Sequence, residues 1–517
     1  MQLHQGLIGI VTALSLSSMT GGLAKAAPAN GSPDPVIKID SGVLQGIREG
    51  GLMVFKGIPY AAPPIGDLRW RPPVTAKPWS GIRPATKFGN DCEQTRRSWD
   101  VGRPDAQMSE DCLTLNIWAP SKSPAKGAPV MFWIHGGSFT AGSSAQPVYD
   151  GAKLAARGIV VVTINYRLGR FGFFAHPALT REAAGQPVGN FGLMDQLAAL
   201  QWVQRNIRAF GGNPHNVTIF GESAGGSSVN IFMASPAARG LFHRAISESG
   251  GGREEAKSLS EAEARGKAFA AKAGVTADDP AALRALPAAV VRGGAQLESD
   301  AATFMGPFLD GQVIQGDIDT AFATGRQAPV PYMAGSNSDE IGFLPAPMRA
   351  PATAFFSAQL GADLEGIKAA YGSAQAFEAG VMNDAVFAEP ARNLARSARV
   401  NGAYLYKFDY VAEAERAAMK GAPHAYEVAF VFGTLETLKS PPSPADIAMA
   451  KTVGDYWVAF AKTGRPAPSG HPAWPTLGTG KSDMIVFSPE GAVIRSSESP
   501  ALDALAAHVE RKKAPAH

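Results

Sequence analysis

The sequence predicts an α/β protein built on a mostly parallel sheet with helices on both faces. Three observations carry this expectation. Short apolar runs rich in β-branched and aromatic residues recur along the chain, helical patterns separate them, and the runs lack the polar alternation of half-exposed strands. The hydrophobic share of 45% against 18% charged residues excludes a disordered chain or a coiled coil.

Taken in order, Val36–Ile39 reads as a short opening strand, followed by a turn-rich stretch over 57–84. Val130-Met131-Phe132-Trp133-Ile134 is a buried-strand run ending at His135-Gly136-Gly137, and 159–164 is a second, more β-branched one. Residues 193–207 read as a helix, with Leu193, Leu197, Leu200 and Val203 on one face. Phe210-Gly211-Gly212-Asn213-Pro214 stops it. Val217-Thr218-Ile219-Phe220 is a third strand, and a helix is expected from Ser227 onward. Ala245-Ile246-Ser247, Val330-Pro331-Tyr332-Met333-Ala334 and the run from Tyr404 to Phe408 give three more strands. The Ala- and Glu-rich segments near 254–300 and 350–400 read as helical excursions able to roof a site. Residues 511–517 read as a frayed tail.

No Asp, Glu, Lys or Arg precedes Lys25, and a ten-residue apolar stretch at 7–16 leads to Ala24-Lys25-Ala26-Ala27. This is the pattern of a signal peptide, 1–26, cut after Ala26. It leaves 27–517 as one large domain, exported to a periplasm or medium. Ten residues are too few to span a bilayer, so no stable membrane insertion is expected. Lys and Arg number 48 against 45 Asp and Glu, a formal charge of +3, which gives no electrostatic case for nucleic acid. Two cysteines allow one bridge but no Cys-rich metal site.

Gly478-Thr479-Gly480-Lys481-Ser482 imitates the end of a phosphate loop, yet the motif's first glycine would fall at Pro475. No G-x-G-x-x-G follows a strand and no H-E-x-x-H occurs among the nine histidines. Neither a cofactor nor a metal is implied.

Gly221-Glu222-Ser223-Ala224-Gly225 is G-x-S-x-G set between a strand and a helix start, the context that turns the motif into a nucleophile elbow. So tight a turn needs flanking residues with almost no side chain. It lifts Ser223 out of the sheet beside the unpaired N–H groups of a helix N-terminus. His135-Gly136-Gly137-Ser138-Phe139 follows an earlier strand, and its glycines let backbone N–H groups approach a ligand. Gly137 and Ser138, with Ala224, are therefore the candidate oxyanion donors.

These features resemble the type-B carboxylesterases, the α/β-hydrolase group that includes the cholinesterases. The likeness extends through Phe55-Lys56-Gly57-Ile58-Pro59-Tyr60-Ala61, Glu110-Asp111-Cys112-Leu113-Thr114-Leu115-Asn116, Asn165-Tyr166-Arg167-Leu168-Gly169 and Phe210-Gly211-Gly212-Asn213-Pro214, and so through nearly all of 27–517. Pattern alone does not separate Asp339 from Glu340 or rank His424 above His243. The resemblance does, pointing within Gly335-Ser336-Asn337-Ser338-Asp339-Glu340 to Glu340 and within Gly421-Ala422-Pro423-His424-Ala425-Tyr426-Glu427 to His424.

The resemblance implies a serine carboxylic ester hydrolase with a Ser223–Glu340–His424 triad and a covalent acyl-enzyme. Alternatives are a hydrolase specialised for a bulky multi-ester or carbamate, or a non-catalytic exported binding protein. It also implies a Cys92–Cys112 disulfide and ion pairs of Arg69 with Glu110 and Arg167 with Asp195. Glu222 and Gly136 line the gorge behind the nucleophile, where Glu222 either tunes His424 or serves as a structural acid. The partner is a small-molecule ester, and the chain is a monomer or weak homodimer. Ser138 departs from the family, many of whose members have a third glycine there, and Ala425 is a milder change.

Overall fold

The protein is described by a computed structural model covering residues 33–96, 106–293, 302–304, 306–344, 346–398, 401–478 and 483–513. The expected signal peptide and Gly480-Lys481-Ser482 of the false phosphate loop lie outside these residues. Pro35–His517 form one compact unit. Among the described residues no helix is long and apolar enough to cross a membrane.

The N-terminal strands are β1 (Val36–Ile39), β2 (Gly42–Gln45), β3 (Ile47–Glu49), β4 (Leu52–Pro59), β5 (Ile82–Pro84), β6 (Asp91–Cys92), β7 (Met108–Ser109) and β8 (Thr114–Pro120). Then follow β9 (Ala128–Ile134), β10 (Val160–Ile164), β11 (Gly212–Glu222), β12 (Arg244–Glu248) and β13 (Tyr332–Asn337). The series ends with β14 (Ala403–Phe408), β15 (Asp483–Ser488) and β16 (Gly491–Ser496). Eleven strands make the central sheet in the order β16-β15-β14-β13-β12-β11-β9-β10-β8-β4-β3. From β10 through β15 every neighbouring pair is parallel. The pairs at both edges are antiparallel.

Burial on both faces explains the unbroken apolar runs. In β9, Val130, Phe132 and Ile134 enter one core while Met131 and Trp133 enter the other. Each such side chain contributes roughly 1.5–3 kcal/mol on full burial. The expected 193–207 helix is Phe191–Asn206, closed by a short turn and by Gly211 at φ +77°. The helix expected from Ser227 starts three residues earlier and spans Ala224–Ala234.

Two expectations need correction. Residues 511–513 are not frayed but complete the helix Pro500–Lys513. The turn-rich reading of 57–84 passes over the end of β4, which bulges between Phe55 and Ile58. The strands β8, β15 and β16, toward the two ends of the sheet, also escape sequence reading. In β8 Asn116 interrupts the apolar pattern because its side chain is structural. Its Oδ1 accepts from Gly57 N at 2.9 Å, and its Nδ2 donates to Ser144 Oγ and Thr163 Oγ1 at 3.0 Å. The excursions resolve into short helices, Leu259–Lys272, Pro280–Arg284 and Ala288–Arg292 in one and Ala346–Ala358 through Glu389–Ser397 in the other.

Candidate active site

Ser223 sits between β11 and the helix Ala224–Ala234 at φ +54°, ψ −120°. Such a backbone is costly for a residue with a side chain and collects at functional sites. Its neighbours show why the turn demands glycine. A Cβ on Gly225 would lie 1.9 Å from Ile134 O, and one on Gly221 would lie 2.6 Å from the same atom. Ser223 N–H donates to Glu248 O at 2.9 Å, and Ser223 O accepts from Ser227 N at 2.8 Å. The elbow is thereby pinned to the next strand and to its own helix.

Across the turn, Gly136 faces Glu222 and Ser223. A Cβ there would lie 2.7 Å from Glu222 Oε2 and 3.1 Å from Ser223 Cβ. Gly137, Ser138 and Phe139 follow at φ +104°, +55° and +58°. The left-handed backbone at Ser138 gives a physical reason for glycine at this place. Among the described residues, the N–H groups of Gly137, Ser138 and Ala224 donate to no backbone carbonyl. Beneath this loop His135 stacks on Tyr166 with ring centroids 4.4 Å apart. Burial holds the His135 pKa down to about 4, so the ring is neutral near pH 7.

Glu340 and His424 meet because their loops are zipped together. Asp339 N–H donates to Ala422 O at 2.9 Å, Ala422 N–H to Ser338 Oγ at 2.9 Å, and Asn337 Nδ2 to Pro423 O at 2.7 Å. His424 Nδ1 then lies 2.6 Å from Glu340 Oε2. Glu340 is fully buried, and its Oε1 accepts from Ser249 Oγ at 2.6 Å and Asn337 N at 2.7 Å. Its own N–H donates to Asn383 Oδ1 at 2.7 Å. The neighbouring Asp339 points elsewhere, 3.9 Å from Arg349. His243 is remote, accepting from Val217 N on β11.

The other ring nitrogen, Nε2, lies 3.0 Å from Glu222 Oε1. Among the described residues neither Glu222 Oε1 nor Ser223 Oγ has a hydrogen-bond partner, so the Nε2–Glu222 approach is one of charge without hydrogen-bond alignment. Burial alone would lower the His424 pKa, but Glu222 and Glu340 overcome it and raise it. Burial raises that of Glu222, with His424 opposing and Glu340 adding. The rings of Phe387 and Phe343 stand 5.0 and 6.1 Å from the imidazole. Phe387 belongs to the second excursion, part of which therefore does wall the site, whereas Phe343 ends the short turn Glu340–Phe343.

The supporting links fall where the resemblance put them. Cys92 and Cys112 form a disulfide. Arg69 pairs with Glu110 through Nε to Oε2 at 2.7 Å, and Arg167 pairs with Asp195 through two contacts of 2.8 Å. Sequence reading missed Ser249, Asn337 and Asn383. Ser249 had one signal, its place just past the C-terminal end of a parallel strand, where such sheets gather their sites. Asn337 N acts through backbone, and Asn383 reaches Glu340 from a distant helix, so neither had a sequence signature.

The carboxylesterase family matches residues 33–360 and 364–502. A fumonisin B1 esterase of Sphingopyxis macrogoltabida is 36% identical over 489 residues, 90% of this chain and 88% of that protein. The para-nitrobenzyl esterase of Bacillus subtilis (strain 168) is 36% identical over 485 residues, 90% of this chain and 97% of that protein. Among solved structures, a PNB esterase superposes with a TM-score of 0.83 at 32% identity, covering 92% of this chain and 99% of that one.

Proposed function

The chain belongs to the carboxylesterase family, and from that membership we propose a serine carboxylic ester hydrolase with Ser223 as nucleophile, His424 as base and Glu340 as orienting acid. Ser223 Oγ attacks the ester carbonyl while His424 Nε2 takes its proton. The oxyanion is received by the N–H groups of Gly137, Ser138 and Ala224. His424 returns the proton to the departing alcohol, then takes one from the water that attacks the acyl carbon and passes it to Ser223 Oγ as the acid leaves. Glu340 holds Nδ1–H throughout and offsets the imidazolium charge.

The observation that carries this reading is the 2.6 Å contact of His424 Nδ1 with a fully buried carboxylate. It leaves Nε2 as the nitrogen for proton transfer. That Nε2 makes no hydrogen bond to Ser223 Oγ among the described residues is compatible with the scheme, because catalytic hydrogen bonds tighten on substrate binding. Replacing Ser223 by Ala is the test: labelling by an organophosphonate should vanish and ester turnover fall by orders of magnitude. Undiminished labelling at the active site would overturn the assignment.

A second reading, a hydrolase shaped for a bulky multi-ester or carbamate, draws on Phe343, which is 57% exposed although its ring stands close to His424. Relative kcat/KM on short p-nitrophenyl esters, para-nitrobenzyl esters and fumonisin B1 would separate the two. We read 27–517 as a single domain exported after cleavage near Ala26, which suits a disulfide-bonded chain. N-terminal sequencing of the mature protein checks that, and retention of residues 7–16 would remove it.

A further inference from the structure

The registers of β11, β12, β13 and β14 place Glu222, Glu248, Gly335 and Tyr406 in one row across the sheet. Residues paired in a parallel register present their side chains on the same face. Glu222 and Glu248 thus stand side by side, both buried. Gly335 leaves the next place open, and a Cβ there would lie 2.3 Å from the Tyr406 ring. That ring therefore leans over the gap toward the two acids.

The polar atoms of the row divide into those with a partner and those without. Glu248 Oε1 accepts from Trp457 Nε1 at 2.8 Å. Glu222 Oε1, Glu248 Oε2 and the Tyr406 hydroxyl are buried without a hydrogen-bond partner among the described residues. Two carboxylates opposite one another on buried strands repel if both are charged. Glu222 is the member that faces His424, so the negative charge is best placed there. Trp457 satisfies Oε1 of Glu248 and leaves Oε2 as the atom to carry a proton. Burial raises the Glu248 pKa, Trp457 opposing and Glu222 adding. The titratable groups around the pair are Glu340, His424, Glu427, Tyr166 and Tyr406.

We propose that Glu248 is a neutral acid whose Oε2–H donates to Glu222, a positioning residue that keeps Glu222 anionic opposite His424. Only the kinetic consequence of this rests on the esterase reading.

Two measurements test it. Infrared difference spectra of Glu248→Gln against the parent protein near neutral pH should show loss of one neutral carboxyl band. Loss of carboxylate bands alone would overturn the proposal, whatever the enzyme hydrolyses. The kinetic arm follows the acidic limb of kcat/KM in variants that still react with an organophosphonate. Glu248→Gln keeps a donor toward Glu222 and removes no charge, so the limb should stay in place. Glu248→Leu removes the donor, lets Glu222 protonate more readily and weakens its hold on the imidazolium. Its limb should fall by about half a unit or more, and adding Glu222→Gln should carry it no lower than Glu222→Gln alone does. A limb that falls in Glu248→Gln itself would show that a charge was removed, and the proposal would fail.

Discussion

Glu222 Oε1 lies 3.0 Å from His424 Nε2, on the opposite side of the ring from Glu340, which holds Nδ1 at 2.6 Å. Both ring nitrogens thus face a buried carboxylate, and the protonated imidazole is favoured. The base must be neutral to accept the serine proton, so kcat/KM should rise with pH through the elevated His424 pKa.

Glu222→Gln removes one of these two charges. The His424 pKa should then fall, carrying the acidic limb of kcat/KM to lower pH by about one unit. A pH profile on one p-nitrophenyl ester measures this. An unmoved limb would make Glu222 a structural acid without influence on the ring.

Glu340→Gln should leave the protein folded and reduce kcat by roughly 10³–10⁴-fold, because Gln can present its amide N–H to Nδ1 and so select the wrong tautomer. Asp339→Asn should cost less than about tenfold, since its charge faces Arg349 at the edge of the site. A crippled Asp339 variant beside an active Glu340 variant would reverse their roles.

Much of this site was legible because the elbow and the oxyanion loop are local. Gly221 and Gly225 are fixed by contacts within one turn and the end of the adjacent β9. Glu340 and His424, 84 positions apart, meet only through the pairing of their loops. Residue pattern alone left Asp339 beside Glu340 undecided, and family resemblance supplied the choice. The central parallel strands declared themselves as apolar runs buried on both faces. The edges did not, because β4 bulges and Asn116 in β8 spends its polar side chain on three internal hydrogen bonds.

Two glycines offer a stability comparison. Gly225→Ala would place a methyl 1.9 Å from the Ile134 carbonyl, a backbone atom that cannot turn aside. A loss of about 1–3 kcal/mol or more is expected, with failure to label Ser223. Gly366 lies exposed within the helix Leu364–Ala370, and a Cβ there would meet nothing within 4 Å. Gly366→Ala should stabilise by roughly 0.5–1 kcal/mol. Thermal melts of the two variants should move in opposite directions.

The disulfide should affect rate as well as stability. Two residues after Cys92, Gln94 accepts from Gly142 N and donates to Gly142 O, both at 2.8 Å, directly behind the oxyanion loop. Replacing both cysteines by Ala should cost roughly 3 kcal/mol of stability. It should also lower kcat at temperatures well below the melting transition. Unchanged kcat with a lowered melting temperature would confine the bridge to stability.

Ser138 gives the most informative single change. Its backbone has φ +55°, and its side chain is exposed. Glycine removes the left-handed penalty of roughly 1–2 kcal/mol while keeping the N–H assigned to the oxyanion. Ser138→Gly should therefore retain stability and short-acyl turnover. Losing an oxyanion donor would instead cost about 2.7–4 kcal/mol. With the hydroxymethyl gone, larger acyl groups should gain relative to acetyl, although a more flexible loop works against that gain. The measurement is kcat/KM for acetyl, butyryl and benzoyl esters of one alcohol. A uniform loss of roughly 100-fold or more in a folded variant would make the hydroxyl part of the catalytic machinery. An unaltered order of preference would place the Ser138 side chain outside the acyl site, leaving its N–H as the only part of the residue that substrate meets.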